Sequence, residues 1–173
     1  KLIDFEKLTM NLVYRDQGER SLKFQLPAVE GVPATLAYGR QIFALSKGRS
    51  VVPHGHNNMA TAFLVLKGEF QGRLYDRVED TPTHMIIRPT TDQTFSAGAA
   101  STISDQKDNV HWFHATSETA FIYNIHVRFA VPNPQRPGSG RVYVDPNGQK
   151  MACGLIRAPL LKPAYSFKPS PVR

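Results

Sequence analysis

The residues best suited to chemistry are two histidines separated by a single residue, His54 and His56. Side chains two positions apart in a strand point to the same face, so both imidazoles can reach one metal ion. Imidazole is the commonest metal ligand among side chains. The pair lies between Gly48 and Gly68. If another strand contributes a third ligand, the two histidines would form part of a metal site. Without a third ligand, their spacing would be a chance feature of a loop beside Pro53.

A third ligand has to come from elsewhere in the chain. The remaining histidines are His84, His111, His114 and His126. His111 and His114 are three apart, so in a strand one points inward and the other outward, and one metal is not expected to bind both. His114 could then lie on the surface or support a ligand. His84 has no motif around it, and His126 could equally line a pocket or have a buried structural role.

Composition limits the class of protein. The chain has 173 residues, of which 41% are hydrophobic and 20% charged, which is typical of one globular domain. It contains no run of eighteen apolar residues, and its first residues lack the apolar core of a signal peptide. We therefore expect a soluble, cytoplasmic protein that does not bind membranes. A chain that begins at Lys1 leaves open a removed leader and a periplasmic location.

The charge and cysteine content exclude further classes. Cys153 is the single cysteine, so the chain has neither an internal disulfide nor a cysteine-based zinc site. The net charge of +7 favours anionic partners, but the charges are scattered. Because no arginine-rich arm or aromatic platform accompanies them, we expect no nucleic-acid partner.

Short β-rich runs broken by turn residues begin at Ser21 and predict an all-β protein. Many short strands at close intervals are typical of a sandwich or barrel. Proline and glycine are expected between the strands and not inside them. The spacing of apolar residues over 4–16 predicts one short N-terminal helix or turn, and residues 66–69 predict a hairpin turn.

The last part of the chain is richer in proline and glycine. Residues 131–141 predict a long surface connection between strands. Prolines at positions 159, 163, 169 and 171 predict an extended C-terminal tail. We therefore divide the chain into a single domain at 1–157 and a tail at 158–173.

The spacing of Gly48, His54, His56 and Gly68 resembles the first motif of the cupin superfamily, in which Thr61 takes the place of a glutamate. This resemblance implies the cupin double-stranded β-helix, a jelly-roll barrel. The sequence around and after this motif resembles the thiol dioxygenase branch, especially the group of plant cysteine oxidases and aminoethanethiol dioxygenases. The residues that carry this narrower likeness are Met59, Gly68, Tyr75, Asp76 and the run Asn109-Val110-His111.

The thiol dioxygenase resemblance implies a mononuclear non-haem iron held by His54, His56 and His111. Fe(II) is the metal that it favours, with Zn, Ni, Mn and Cu as alternatives because imidazole suits several metals. Gly55 replaces an acidic residue of that group, and Tyr123 falls where a second acidic residue is expected. Tyr123 is therefore a candidate catalytic phenol, although a buried packing role is as plausible.

The implied activity is that of a metal-dependent oxygenase, a dioxygenase that adds O2 to a small substrate such as a thiol. The alternatives are another metal-dependent cupin enzyme, such as a lyase or isomerase, and a non-catalytic cupin that binds or senses a small ligand. Arg40, on the strand before the motif, could bind a substrate carboxylate or be an exposed strand residue. Pairing of two copies through a sheet edge would give a homodimer, which the sequence leaves open.

Overall fold

The computed structural model describes residues 3–22, 24, 28–31, 33 and 35–162. Helices are short in this part of the chain: α1 spans Phe5–Thr9, and a 3₁₀ turn spans Ala152–Gly154. The Asp4 carboxylate begins α1 by accepting a hydrogen bond from the Lys7 amide at 3.0 Å. The helix expected over 4–16 is thus present but shorter, since Leu12 and Tyr14 pack on a sheet without helical backbone. No described helix has the length and apolar character needed to cross a bilayer.

Strands make up most of the described chain. They are β1 (Arg20–Leu22), β2 (Gly39–Ser46), β3 (Ser50–Asn57), β4 (Met59–Lys67), β5 (Glu69–Asp80), β6 (His84–Ser96), β7 (Ala100–Ile103), β8 (Val110–Ala115), β9 (Thr119–Arg128), β10 (Gly140–Tyr143), β11 (Gln149–Lys150) and β12 (Ile156–Pro159). The predicted all-β class is confirmed.

The strands form two antiparallel sheets. The first sheet has the order β1-β2-β9-β4-β7, and the second has the order β10-β3-β8-β5-β6-β12-β11. From β2 to β5 the chain passes from one sheet to the other at each strand, and from β6 to β9 it does so again. This alternation wraps a long hairpin around a barrel, so the predicted jelly roll is confirmed.

An aromatic core fills the space between the sheets. The rings of Phe63, Phe95 and Phe113 meet edge to face, with centroids 4.4 to 5.8 Å apart. Such pairs add directional attraction to the burial of apolar area. Phe113 also lies beside His111, with ring centroids 6.2 Å apart, so the core forms one wall of the site described below.

The strand that carries the histidine pair departs from the expectation that proline and glycine lie between strands. Pro53 and Gly55 both lie inside β3. The pairing of β3 with β8 shifts register between Val51 and His54, which marks a bulge. Proline has no N–H to donate to a ladder, and a bulge removes the need for one. The strand can therefore continue through Pro53.

The hairpin turn expected at residues 66–69 is confirmed. β4 ends at Lys67 and β5 begins at Glu69, with Gly68 between them at a φ of +74°. This left-handed conformation costs glycine little, whereas a Cβ would strain the turn.

Near the C-terminus, β10 begins within the connection predicted at 131–141, and β12 continues past residue 157 to Pro159. The sheet thus crosses the boundary placed at 157. Residues 163–173, most of the expected tail, lie outside the described residues, and the division of the chain stays a prediction.

Candidate metal centre

Three histidine side chains meet inside the barrel. His54 and His56 lie two residues apart on β3, and His111 lies on β8 directly opposite His54 in the strand register. All three are buried, and one ring nitrogen from each lies within 4.8 Å of the others. The group could therefore hold a metal ion.

Backbone carbonyls fix the orientation of two of these rings. His54 Nδ1 lies 2.6 Å from the Val52 carbonyl oxygen, and His111 Nδ1 lies 3.1 Å from the Asn109 carbonyl oxygen. Because a carbonyl only accepts, each Nδ1 carries the proton and each Nε2 keeps its lone pair. Metal-binding histidines are commonly held in this way.

The third ring is less constrained. The backbone of Gly140 lies near His56, but outside the geometry of a hydrogen bond, so the buried Nδ1 of His56 has no partner among the described residues. A buried ring nitrogen without a partner is costly unless a ligand satisfies it. His56 thus has a buried nitrogen that a bound ligand could satisfy.

The electrostatic environment keeps the three imidazoles neutral. Burial is the largest effect and lowers the pKa of His54 and of His111 well below its ordinary value. Burial, with the nearby Arg141 charge, lowers the pKa of His56 to about 4. A metal binds the neutral form of imidazole, so the site is prepared for a ligand at neutral pH.

The donor set fits a transition metal with open coordination positions. Three imidazole nitrogens suit iron, zinc, copper or nickel. Thr61, which stands where the cupin motif has glutamate, is not directed to the metal group, since its Oγ1 lies 3.0 Å from His126 Nδ1. The metal-binding group found among the described residues contains no carboxylate.

Two neighbouring spaces adjoin the histidines. A chamber of about 20 Å³ lies between them and the apolar wall, with room for roughly one water-sized group. A cleft of about 540 Å³ lies next to it on the open side. Both spaces are lined by His56, His126 and Arg141. The cleft is large enough for a small organic molecule, while the chamber is not.

Strand β10 brings two residues to the site that the sequence analysis did not single out. Arg141 pairs with His56 in register, and Tyr143 pairs with His54. The Tyr143 and His54 ring centroids are 5.8 Å apart. The alternation in this strand does place Arg141 and Tyr143 on one face, but only the pairing with β3 shows that this face meets the histidines.

The structure does not bring Tyr123 to the three histidines. Tyr123 packs edge to face on Phe24, with ring centroids 5.9 Å apart, in the apolar cluster that also contains α1 residues. Its neighbour Asn124 lines the chamber instead. Because adjacent strand residues face opposite sides, Tyr123 points away from the site. Burial raises the pKa of its phenol, which fits a packing role.

The other candidate residues lie at different positions relative to the three histidines. His126 lines the chamber and the cleft, held by Thr61. His114 is hydrogen-bonded to Ser50, with 2.9 Å between Nδ1 and Oγ. Arg40 stacks over the Phe24 ring, and its guanidinium lies 5.6 Å from the ring centroid. Arg40 therefore packs with Tyr123 and does not reach the histidines.

Acid should destabilise the metal-free protein. The pKa of His56 is about 4 in the folded chain and near 6.5 in an unfolded one, so only the unfolded state gains this proton between those values. The free energy of unfolding should therefore fall as the pH drops from 6.5 toward 4. Urea unfolding at several pH values measures this effect, and His56→Gln should show a shallower fall. A free energy that stays constant across the window would contradict the assignment.

No protein-family model and no curated protein matches the sequence. Solved structures of similar architecture include an 11S globulin from Wrightia tinctoria, with 12% identity and a TM-score of 0.43 over 60% of this chain and 22% of that chain. TT1209 from Thermus thermophilus has 13% identity and a TM-score of 0.47 over 74% of this chain and 97% of that chain. A sugar phosphate isomerase from a cupin superfamily, from Silicibacter pomeroyi, has 16% identity and a TM-score of 0.45 over 68% of this chain and 64% of that chain.

The chain spans less than a quarter of the two 11S globulins that it matches, from Wrightia tinctoria and Brassica napus, at 22% and 24% of their lengths.

Proposed function

We propose that this protein is a metal-dependent enzyme, a mononuclear non-haem iron dioxygenase that acts on a small substrate. The observation that carries the proposal is the group of three buried, neutral histidines, His54, His56 and His111, beside a cleft of substrate size. The motif likeness to thiol dioxygenases supports iron as the metal and a thiol as the reacting group. Iron bound there would supply the binding and activation of O2 beside the substrate.

The chain's own residues would position the substrate and exclude water. Phe43, Phe63 and Phe113 form the apolar wall of the chamber, which keeps bulk water from the reacting atoms. His126 lies where the chamber meets the cleft, and its hydrogen bond with Thr61 fixes the ring. In this proposal His126 Nε2 offers a hydrogen bond to the substrate in the cleft.

For a thiol substrate, both atoms of O2 would be added to sulfur, which gives a sulfinic acid. The sulfur loses four electrons and O2 gains them, so no other reductant is needed. The product retains the thiol proton and is heavier than the substrate by two oxygen atoms.

Oxygen uptake by the iron-loaded protein tests the proposal, with cysteine, cysteamine and a peptide with N-terminal cysteine as substrates. Thiol-dependent uptake with one O2 consumed per sulfinic acid formed supports it. The zinc-loaded protein and the iron-treated His111→Ala variant serve as controls and should consume no more O2 than a blank. Iron binding without uptake would reject these thiols as substrates, and turnover by the zinc form would favour the lyase or isomerase alternative.

A further inference from the structure

The cleft contains an arginine whose position is unusually well defined. Arg141 Nη1 lies 2.6 Å from Glu19 Oε1, and the guanidinium lies 5.4 Å from the centroid of the Phe43 ring. Tyr143, on the same face of β10, also interacts favourably with the guanidinium and helps to raise the pKa of Arg141. These contacts engage only part of a group with five N–H donors, and 26% of the Arg141 side chain remains exposed.

The position of Arg141 relates it directly to the histidines. It pairs with His56 across β10 and β3, and it lines both the chamber and the cleft. A ligand that lies in the cleft beside His56 is therefore also close to the guanidinium. The planar fork of arginine matches the two oxygens of a carboxylate, which lysine does not.

Charge balance also favours an anionic ligand. Thr61 replaces the carboxylate of the cupin motif, and the metal-binding group found among the described residues consists of histidines alone. The negative charge of Glu19 balances the positive charge of Arg141. No described side chain of the site would then balance the charge of a divalent metal. Arg128 adds a second cation at the cleft. A substrate with two anionic groups could place one at the metal and the other at Arg141.

We propose that the cleft binds a small substrate that carries a carboxylate, and that Arg141, clamped by Glu19 and Phe43, is the residue that binds it. This inference rests on the proposed function for the role of the three histidines. It adds the chemical class of the substrate and the residue that selects it. The metal-binding group of the ligand lies at the histidines, and its carboxylate lies at the β10 side of the cleft.

The test compares each acid with its uncharged amide, using 3-mercaptopropionate and 3-mercaptopropionamide, and lactate and lactamide. Calorimetry measures binding to the metal-free and the zinc-loaded protein. A charge-assisted hydrogen bond contributes about 1.5–3 kcal/mol, so each acid should bind roughly tenfold or more tightly than its amide. Arg141→Met should abolish this preference, while Arg141→Lys should keep part of it because the charge remains without the fork.

Matched variants separate binding from folding. Glu19→Gln combined with Arg141→Met removes both charges together, so no buried carboxylate is left without its partner. This pair should fold and lack the preference for acids. Arg88→Met removes an exposed arginine that lines neither space and should retain the preference.

The outcomes distinguish this inference from the proposed function. Equal or undetectable binding of acid and amide in both forms of the wild-type protein would overturn the role of Arg141, as would a preference that survives Arg141→Met. A preference for lactate alone supports the carboxylate site and speaks against thiols. Failure to load zinc would reject the metal centre, and the metal-free comparison would still decide the role of Arg141.

Discussion

Replacement of His111 with alanine should weaken zinc binding by about 100-fold or more. Structural zinc sites with four protein ligands are worth ~10–16 kcal/mol, which is roughly 3 kcal/mol for each ligand. His111 faces His54 across the β3 and β8 pair, and its Nδ1 is already held by the Asn109 carbonyl. The variant therefore loses an oriented donor that no other described side chain replaces. Competition with a chelator of known affinity measures the change.

His114→Ala is the matched control, because it removes an imidazole from the same strand without touching the site. The His114 ring is bonded to Ser50, away from the three-histidine group. Zinc affinity of this variant should stay within about twofold of the wild type. If His111→Ala bound zinc as tightly as the wild type, the three histidines would not form the metal centre.

Introduction of aspartate at Gly55 should both destabilise the fold and weaken metal binding. A Cβ at this position would overlap the Asn109 amide oxygen and lie 3.3 Å from Val110 Cγ2. Asn109 is buried, and its amide nitrogen donates to the His56 carbonyl at 2.8 Å. Overpacking of this kind typically costs about 1–3 kcal/mol, and a buried carboxylate adds to that cost.

Displacement of Asn109 would also move a carbonyl that orients a ligand. The Asn109 backbone oxygen accepts the hydrogen bond from His111 Nδ1, and changes to such supporting groups typically cost about 10–100-fold in metal affinity. Thermal unfolding and zinc competition measure the two effects.

Gly39→Ala is the control for this substitution, since its nearest neighbour, His126 Cβ, lies at an ordinary 3.6 Å. That variant should melt close to the wild type. A Gly55→Asp protein with unchanged melting temperature and zinc affinity would refute the packing argument.

This contact explains a departure from the thiol dioxygenase pattern. The sequence showed that Gly55 replaces an acidic residue, but not why. In the fold the space beside Gly55 is filled by Asn109, which comes from the loop before β8. Glycine is therefore required by packing between two segments far apart in the chain. Local pattern alone contains no sign of such a contact.

The histidine pair could be found from sequence because its geometry is local. Residues two positions apart on one strand face the same side whatever the rest of the fold, and the likeness to thiol dioxygenases singled out His111 as their partner. The two-sheet barrel was likewise predictable from the short strands and turns. Pro53 inside β3 was not, because a bulge depends on the register with β8.

Whether the other candidate residues reach the site depends on which strands pair. The likeness to thiol dioxygenases singled out Tyr123, but a turn separates β8 from β9, and Tyr123 faces the opposite side of β9 from the chamber residue Asn124. Asn124 and His126 face the chamber instead. Arg141 was missed because it was expected to end a surface connection at 131–141. The pairing of β10 with β3 joins residues more than eighty positions apart.

The central claim is that His54, His56 and His111 together hold one metal ion. X-ray absorption spectroscopy of the protein loaded with Fe(II) under anaerobic conditions, with metal content measured on the same sample, tests it most directly. We expect close to one iron per chain, with scattering from three imidazoles at roughly 2.0–2.2 Å. Iron that is absent, or that is bound without imidazole scattering, would contradict the account.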